Sequence, residues 1–441
     1  MSDANVAEGP IYPRAPMAWL TVAILFVLYI RSLADRYLMA LMVEPIKQGL
    51  HLSDTQFSLL QGPAFAVFYC LCAIPVGLML DRYSRRWVLF FCILLWSAGA
   101  GACGFAGGFA MLMAARALVG AGEAGYTTGA YSIIGDSFPP SRLSLAMAVF
   151  VMGGVMGAGI VFLLGGPLVG FVLEGGISHW PMMGHFAPWQ QAFVITGIPG
   201  MAFAFLVFLF PEPRRRQQAA VSALEGYREA WRFIMTYPRC FSGIIFGIGF
   251  VYTVTIALQI WSPTFLTRVH GWKPGQIGLA MGVAQLLAAL SLPVHGWVVD
   301  RLYNAGYRDA HLRWCLITLV LAGPLAVAAY LVSNPYATVV LFGLYMTCIH
   351  STSSMGPASV QLVTPTALRG RVTAIFVLMT GLIGMALGTF LVGFVTDKVL
   401  GDPAKVGLSM VALVVSGLIL AAGFFAHGCA GVRRLLAARA E

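Results

Sequence analysis

Two charged side chains, Arg116 and Glu123, interrupt an otherwise apolar run of the sequence, within the stretch RALVGAGEAGY over residues 116–126. The run extends from about Phe109 to Ile134, long enough for a helix to cross a bilayer. On a helix, a spacing of seven residues places both side chains on the same face, about 10 Å apart along the helix axis. Each charge costs roughly 2.5–3.5 kcal/mol in a membrane, so such residues usually serve a function. A carboxylate here can exchange a proton, and a guanidinium can bind an anion in two-pronged fashion.

Further charges lie in the first apolar run, which contains Arg31, Asp35 and Arg36. If the first and fourth runs cross in opposite directions, Asp35 lies about 13 Å from the outer end and Arg116 about 10 Å. We expect these two side chains to pair across an internal cavity, which leaves Glu123 without a fixed partner. Arg31 is an alternative partner for Asp35, because residues four apart are neighbours on a helix. Arg36 faces elsewhere, toward lipid headgroups or toward the cavity.

The amino-acid composition is that of an integral membrane protein. Of the 441 residues, 59% are hydrophobic and 10% are charged, with a mean hydropathy of +0.83, whereas soluble proteins carry about 25% charged residues. Lipid forces the backbone to satisfy its own hydrogen bonds, so spanning runs are predicted to be helices. We therefore predict an all-α integral membrane protein with twelve transmembrane helices. The twelve runs cover approximately 17–43, 57–80, 87–107, 109–134, 143–172, 190–211, 238–268, 275–299, 313–333, 336–361, 370–397 and 405–429.

Basic residues predict the orientation of the chain and its division. Nineteen of the 27 arginines and lysines fall on the side of the N-terminus, five on the other side and three within the runs. By the positive-inside rule, both termini are predicted to be cytoplasmic. The basic connection 212–237 predicts a cytoplasmic linker between an N-terminal six-helix bundle (1–211) and a C-terminal six-helix bundle (238–441). These loops explain the net charge of +10, and no module for nucleic acid is visible.

The two halves repeat short motifs at corresponding places. GLMLDRYSRR (77–86) follows the second run and GWVVDRLYN (296–304) follows the eighth, and each places Asp-Arg at a helix end. FPPSRLSLAMAVF (138–150) and VTPTALRGRVTAIF (363–376) each place Pro and then Arg before an apolar helix. Such matched halves are typical of transporters that are built from repeats.

The stretch GLMLDRYSRRWVL resembles the loop signature of the major facilitator superfamily, G-x-L-x-D-R-x-G-R-[KR], with Ser84 where a second glycine is commoner. The stretches 34–61 and 116–138 further resemble the spinster branch of that superfamily. The resemblance covers the whole chain and implies two pseudo-symmetric six-helix bundles, the major facilitator fold. The spinster branch is associated with movement of lysophospholipids and sphingosine 1-phosphate, and some neighbouring branches carry organic anions.

The resemblance also implies a gate at the cytoplasmic face, where charges at helix ends would stabilise the outward-facing state. The second half would repeat the cluster of the first. Alternatively, the arginines only fix the orientation of the chain. The candidate gate residues are Asp81, Arg82, Arg85, Arg86, Asp136, Arg142, Asp300 and Arg301.

The apolar runs of the second half contain polar rather than charged candidates, in YTVTIALQIW (252–261) and CIHSTSSMGPASVQ (348–361). Serine and threonine in such helices more often pack helices together than bind ligands. His350 either titrates or stays neutral and hydrogen-bonded. The resulting cavity, charged on one half and polar to apolar on the other, suits an amphipathic anion or zwitterion. The candidate substrate-binding residues are Arg116, Arg36, Tyr126, Tyr252, Gln259, His350 and Ser354, and the candidates for proton coupling are Glu123 and Asp35.

We therefore predict a proton-coupled secondary transporter for a substrate such as a lysophospholipid or a sphingosine 1-phosphate-like lipid. A carrier of small organic anions and a facilitated-diffusion uniporter remain alternatives, as does a fixed salt-bridge network of Arg116, Asp35 and Glu123. An enzyme is disfavoured, because the sequence lacks HExxH, GxSxG and clustered His/Asp motifs. We expect no cofactor, metal or nucleic-acid partner. We expect a monomer in a bacterial inner membrane, whose partners are the bilayer, protons and the substrate.

Overall fold

A computed structural model describes residues 12–215, 223–365 and 368–437. These residues form helices and their connections, with no β-strand among them. The helices of the first half are α1 (Ala15–Leu41), α2 (Val43–Leu50), α3 (Asp54–Gln61), α4 (Pro63–Arg82), α5 (Arg85–Cys103), α6 (Phe109–Glu123), α7 (Tyr126–Ser137), α8 (Pro140–Leu173) and α9 (Pro188–Gly200), which a 3-10 helix continues over Met201–Phe208.

The second half begins with α10 (Ala223–Thr236), which lies within the predicted linker. Two π-helical segments, Ile383–Leu387 and Val395–Leu400, continue its eleventh predicted span. The other helices of this half are α11 (Pro238–His270), α12 (Pro274–Ala289), α13 (Leu292–Asn304), α14 (Ala310–Leu331), α15 (Pro335–Val363), α16 (Arg369–Leu382), α17 (Gly388–Phe394) and α18 (Val406–Ala437).

All twelve predicted runs are helical, and ten described segments are long and apolar enough to cross a membrane. The other two runs depart from that pattern for separate reasons. The fourth run is broken at Ala124 and Gly125 into α6 and α7, so neither piece has the full length. The tenth run forms the single long helix α15, whose polar stretch from His350 to Ser354 lowers its hydropathy.

The helices define two faces of the molecule. We call the face at which α1 begins and α18 ends the terminal face, and the opposite face the distal face. Exposed aromatic side chains lie near both faces, with Trp87 and Trp297 toward the terminal face and Trp180 and Tyr336 toward the distal face. Aromatic belts of this kind are typical of the two edges of a bilayer. The assignment of the terminal face to the cytoplasm stays a prediction.

Close contacts between the halves lie toward the distal face. Gly166 of α8 and Gly278 of α12 approach so closely that neither position has room for a Cβ atom. Gly393 of α17 is packed in the same way against the backbone of Asp54 at the start of α3. Small residues at such crossings let two helix backbones meet. The distal parts of the two halves are therefore tightly joined.

The halves separate toward the terminal face. In α4, every residue from 67 to 79 is at least partly exposed, with Leu71 and Ile74 the most exposed. A helix that packed one face against a bundle would bury every third or fourth side chain. Along this stretch α4 therefore has no side that is fully buried against the second half. We infer that the molecule is closed at the distal face and open at the terminal face in this state.

Candidate functional site

An ion pair between α1 and α6 lies at the centre of the site. Arg36 Nη2 donates to Glu123 Oε2 at 3.1 Å, and each residue is only 6% exposed. The Arg36 guanidinium also lies over the Phe65 ring, 4.4 Å from its centroid. Gln61 donates from Nε2 to the backbone carbonyl of Arg36 at 2.8 Å, which ties α3 to α1 beside the pair. Of the two positions expected for Arg36, the structure has the inward one, and Glu123 has a partner that the sequence did not predict.

Asp35 pairs along its own helix. Arg31 Nη1 donates to Asp35 Oδ2 at 2.8 Å, and Arg31 Nη2 donates to the carbonyl of Thr196 on α9 at 3.0 Å. The predicted pair of Asp35 with Arg116 is therefore wrong in this state, and the alternative of a one-turn pair is present. The reason is geometric, since side chains four residues apart on α1 already meet. Asp35 is 1% exposed, and its Oδ1 has no hydrogen-bond partner.

Arg116 is fully buried and incompletely bonded. Its Nε donates to the carbonyl of Leu60 at 3.3 Å, whereas both terminal nitrogens lack a hydrogen-bond partner. Its guanidinium lies 5.6 Å from the centroid of Phe65, the same ring that carries Arg36. Buried donors without acceptors cost free energy, more so when they are charged. These two nitrogens are consequently available to an anionic group that reaches the site. Phe65 was not a candidate from sequence, because a phenylalanine in an apolar run has no distinguishing signal.

The second half contributes amide and phenol groups opposite the ion pair. The Tyr37 hydroxyl donates to Gln259 Oε1 at 2.8 Å, a bond from α1 to α11 that joins the halves. Gln259 Nε2 in turn donates to Gln285 Oε1 of α12 at 3.1 Å. Tyr252, one of the predicted contacts, lies in the neighbourhood of both Arg36 and Glu123. The sequence analysis missed Tyr37 and Gln285, although a glutamine within the apolar stretch MGVAQLLAAL was a usable signal.

Three other residues that were predicted to bind substrate do not join the Arg36–Glu123 pair. Two of them form local hydrogen bonds, and the third has no hydrogen bond from its ring Nε2. Tyr126 is 1% exposed, and its hydroxyl donates to the carbonyl of Leu25, so it ties α7 to α1. Ser354 donates to the carbonyl of Ser351 at 3.2 Å, within its own helix. His350 is 7% exposed, and its Nε2 has no hydrogen-bond partner. None of these contacts includes the Arg36–Glu123 pair.

His295, a histidine that was not a candidate from sequence, lies near the start of α13. Its Nδ1 accepts from Trp314 Nε1 at 3.1 Å, so its Nε2 carries the proton that is donated to the carbonyl of Thr347 at 2.7 Å. Both nitrogens are thus used by a neutral imidazole. The residue joins α13 to α14 and α15 and has a packing role in this state.

Four side chains form what we call the distal charge cluster: Glu44, Lys47, Asp54 and Arg268. Arg268 of α11 donates through two nitrogens to the fully buried Asp54 of α3, at 2.6 and 2.7 Å. It also donates to Glu44 at 2.7 Å, and Lys47 pairs with Asp54 from the same half. A bidentate pair is the strongest form of such a contact. The cluster holds the two halves together at the distal face.

A second inter-half contact lies beside this cluster. Asp397, in the π-helical segment after α17, accepts at 2.6 Å from the backbone nitrogen of Thr55 in the first turn of α3. A carboxylate at the N-terminus of a helix satisfies free backbone donors and complements the helix dipole. The exposed pair of Lys273 and Glu174, at 2.8 Å, also joins the halves on this face. None of these residues was a candidate from sequence.

The predicted gate residues divide into two groups. Arg85 is buried and donates to Asp136 at 2.6 Å and to the carbonyl of Pro213 at 2.6 Å, and it lies 3.6 Å from Glu212. Arg86 donates to the carbonyl of Phe210 at 2.8 Å. These contacts stay within the first half, where they fix α5 to α7 and to the segment after α9. The remaining candidates, Asp81, Arg82, Arg142, Asp300 and Arg301, are exposed in this state.

The second half has a corresponding cluster around Asp309, which is 2% exposed and precedes α14. Arg433 near the end of α18 donates to it at 2.5 Å, and Arg313 donates to it at 3.3 Å. In the first half the helix start supplies the base, Arg85, and the last segment supplies the acid, Glu212. In the second half the helix start supplies the acid and the last helix supplies the base. The two clusters occupy matching places with reversed charge.

The chain matches a known protein family over most of its length. The sequence profile of the family described as Major Facilitator Superfamily matches residues 24–389. An MFS-type efflux pump of Mycolicibacterium smegmatis is 28% identical over 426 residues, covering 94% of this chain and 93% of that protein. Protein spinster of Drosophila melanogaster is 26% identical over 409 residues, covering 89% of this chain and 64% of the fly protein.

Among solved structures, a bacterial homologue of the human lysosomal transporter Spinster, in an inward-facing and unoccupied conformation, is similar with a TM-score of 0.80. It is 25% identical, with 96% of this chain and 98% of that chain covered. Within the part of the chain that the structure describes, no group of three His, Cys, Asp or Glu side chains could hold a metal ion.

Proposed function

Because the chain belongs to the Major Facilitator Superfamily and is a membrane transporter similar to spinster proteins, we propose that it is a proton-coupled secondary transporter that works by alternating access. Its substrate is an amphipathic anion or zwitterion, such as a lysophospholipid or a sphingosine 1-phosphate-like lipid. The observation that carries this proposal is the buried Arg36–Glu123 pair beside the unsatisfied guanidinium of Arg116. Proteins of this superfamily move solutes across membranes and are not enzymes.

Proton coupling follows from competition for Arg36. While Glu123 is ionised, it accepts a hydrogen bond from Arg36 at 3.1 Å. A proton on Glu123 removes the charge of the acceptor and weakens the pair. Arg36 is then available to an anionic group of the substrate. Conversely, a bound anion that draws Arg36 away favours protonation of Glu123. Asp35, with one unpartnered oxygen, is the second carboxylate in this scheme.

The charge balance of the site supports an anionic headgroup. Three arginines and two carboxylates lie together, all of them buried except the partly exposed Arg31, so one positive charge is in excess when both carboxylates are ionised. The five residues are Arg31, Arg36, Arg116, Asp35 and Glu123. Buried charge without a counter-charge is unfavourable, and one bound anion balances it. The largely apolar second half provides surface for a hydrocarbon tail.

The two faces supply the gates of the proposed cycle. The distal charge cluster and Asp397 hold the distal gate closed in the observed state. When this gate opens, the terminal-face charges Asp81, Arg82, Asp300 and Arg301 come together and close the other side. In this cycle the terminal face is cytoplasmic, both termini lie in the cytoplasm, and the chain acts as a monomer in a bacterial inner membrane. The two moving units are the bundles 1–211 and 238–441, and the segment 212–237 links them.

Flux measurements in proteoliposomes test this function. Purified protein is reconstituted with a labelled lysophospholipid, with and without an imposed pH gradient, and wild type is compared with Glu123→Gln. The matched control is Glu174→Gln, which removes a carboxylate from the exposed distal surface. We expect gradient-driven flux in wild type and in the control, and loss of the gradient response in Glu123→Gln.

Other outcomes assign other functions. Lysolipid flux that ignores the pH gradient would identify a uniporter and return Glu123 to a binding or packing role. Absence of lysolipid flux in folded protein, together with flux of a small carboxylic acid, would identify an organic-anion carrier. Retained gradient response in Glu123→Gln would move the proton site to Asp35 or His350.

A further inference from the structure

Helix α10 of the linker lies against the terminal face through one stripe of small and apolar residues. Gly226, Ala230 and Ile234, four residues apart, are buried. Gly226 lies so close to the guanidinium of Arg371, at the start of α16, that a Cβ atom would overlap it. The helix also packs on α11, which follows it after the single residue Tyr237. Since α11 is a candidate membrane span, α10 lies at the level where the membrane ends.

A second stripe of α10 is apolar and exposed. Tyr227, Trp231 and Met235 are also four residues apart, and they are 46%, 46% and 51% exposed. At 100° per residue this stripe lies beside the buried one rather than opposite it. A helix that is packed on the bundle and lies along the membrane surface would direct such a stripe into the lipid.

The charged residues of α10 occupy the part of the helix surface that the two stripes leave free. Arg228 and Arg232 are exposed, and the helical angles place them next to the apolar stripe. Glu225 and Glu229, also exposed, follow them on the side that is farthest from that stripe. An interfacial helix has this order, with apolar side chains in the acyl boundary and basic side chains at headgroup depth.

The helix also lies close to one helix of each half. Gly226 packs against Arg371 at the start of α16, and Tyr227 lies in the neighbourhood of Asp81 at the end of α4. Whatever binds the exposed stripe therefore acts on the terminal ends of two helices, one from each half.

We propose that α10 binds the anionic lipid of the terminal-face leaflet through Tyr227, Trp231 and Met235 in the acyl boundary and Arg228 and Arg232 on lipid phosphates. This surface is separate from the transport site and does not depend on the identity of the substrate. Arginines beside an apolar stripe are attracted to an anionic leaflet, and the aromatic rings add interfacial affinity. Lipid binding thereby holds α10 across the ends of α4 and α16 while the terminal face is open.

Hydrogen exchange of the full chain in nanodiscs tests the proposal. The discs contain phosphatidylcholine alone or phosphatidylcholine mixed with phosphatidylglycerol, and exchange is read by mass spectrometry. We expect peptides over 223–236 to exchange several-fold more slowly when phosphatidylglycerol is present. The double variant Arg228→Gln/Arg232→Gln loses this difference. The control Arg308→Gln, an exposed arginine on the same face, keeps it.

Peptides from the membrane spans report whether each variant is folded. Exchange over 223–236 that is the same in both lipids, or a lipid effect that Arg308→Gln removes as completely as the double variant, would overturn the proposal. Protection that appears only after a soluble protein fraction is added would also overturn it, in favour of a protein partner.

Discussion

Arg36 and Glu123 lie 87 residues apart on α1 and α6, and their charged groups meet at 3.1 Å inside the first half of the molecule. The pair uses one guanidinium nitrogen and one carboxylate oxygen, and Arg36 Nε has no hydrogen-bond partner. Arg36 can therefore turn toward a second anion without a large change of the backbone. The proposed function requires this pair to be exchangeable, and a single hydrogen bond is compatible with that requirement.

Asp35 should be coupled to Arg31 and not to Arg116. In a double-mutant cycle with Asp35→Asn and Arg31→Gln, the two free-energy changes are expected to be non-additive by about 0.5–3 kcal/mol, because the residues share one ion pair. In the double-mutant cycle of Asp35→Asn with Arg116→Gln, the two changes in the free energy of unfolding should be closer to additive. The measurement is unfolding of purified protein in mixed micelles. A larger coupling in the second cycle would restore the cross-cavity pair.

Loss of Arg268 should open the distal face. In a variant without its eight native cysteines, spin labels at 105 and 336 report the separation of the halves on that face, since both positions are exposed. Arg268→Gln removes the bidentate bond to buried Asp54, so we expect a new population at longer distance. Pulsed electron–electron double resonance measures the distribution of distances between the two labels.

The matched control for this experiment is Lys273→Gln. It also removes an ion pair between the halves on the distal face, but the two side chains are 73% and 64% exposed. Exposed pairs contribute little to stability. An unchanged distance distribution in Arg268→Gln, or an equal shift in the control, would show that the distal charge cluster does not hold this face closed.

Arg85 should stabilise the first half, whereas its neighbour Arg82 should not. Arg85→Gln leaves Asp136 and Glu212 without their shared cation, and these carboxylates are 19% and 25% exposed. We expect a loss of about 2 kcal/mol in the free energy of unfolding, less than for a fully buried pair. Arg82→Gln, at an exposed position, should change it by under about 0.5 kcal/mol. Denaturation in micelles compares the two, and equal effects would contradict the assignment.

A side chain at Gly278 should disturb the crossing of α8 and α12. The position faces the backbone of Gly166 and the carbonyl of Phe162, so Gly278→Val forces the helices apart. We expect a lower melting temperature, together with a longer distance between labels at 105 and 336. Gly423→Val is the control, because no atom lies near the place of its Cβ. A Gly278→Val protein that melts like wild type would show that the crossing tolerates separation.

The spans were predictable from sequence because lipid imposes a simple rule on each segment. Any run of about 20 apolar residues must form a helix, whatever its neighbours are. The break at Gly125 and the π-helical segments after α16 were not predictable in this way, because they depend on packing against other helices. The family and its spinster-like branch were recognisable because DRYSRR and the stretches around Asp35 and Glu123 are local signatures.

The charged residues of the candidate site could be selected from sequence, but their partners could not. Buried charges identify themselves by their cost, so Arg36, Arg116 and Glu123 stand out in apolar runs. Their pairing depends on side-chain direction, and depth along a helix axis leaves that direction open. Arg268 and Asp54 were not selected as candidates from sequence for a related reason. Each lies near the end of a helix, where a charged residue is common and gives no signal. Only the fold brings these two together, across 214 residues.

The reversed charges of the two terminal-face clusters bear on how a newly made chain assembles. Each half closes its bundle when its last segment brings Glu212 to Arg85 or Arg433 to Asp309. If a closing segment met the wrong half, Glu212 would face Asp309 and Arg433 would face Arg85. Like charges in partly buried places repel strongly, so such a mismatch is selected against. Two similar bundles on one polypeptide, or on neighbouring polypeptides in a crowded membrane, can thus sort their own ends.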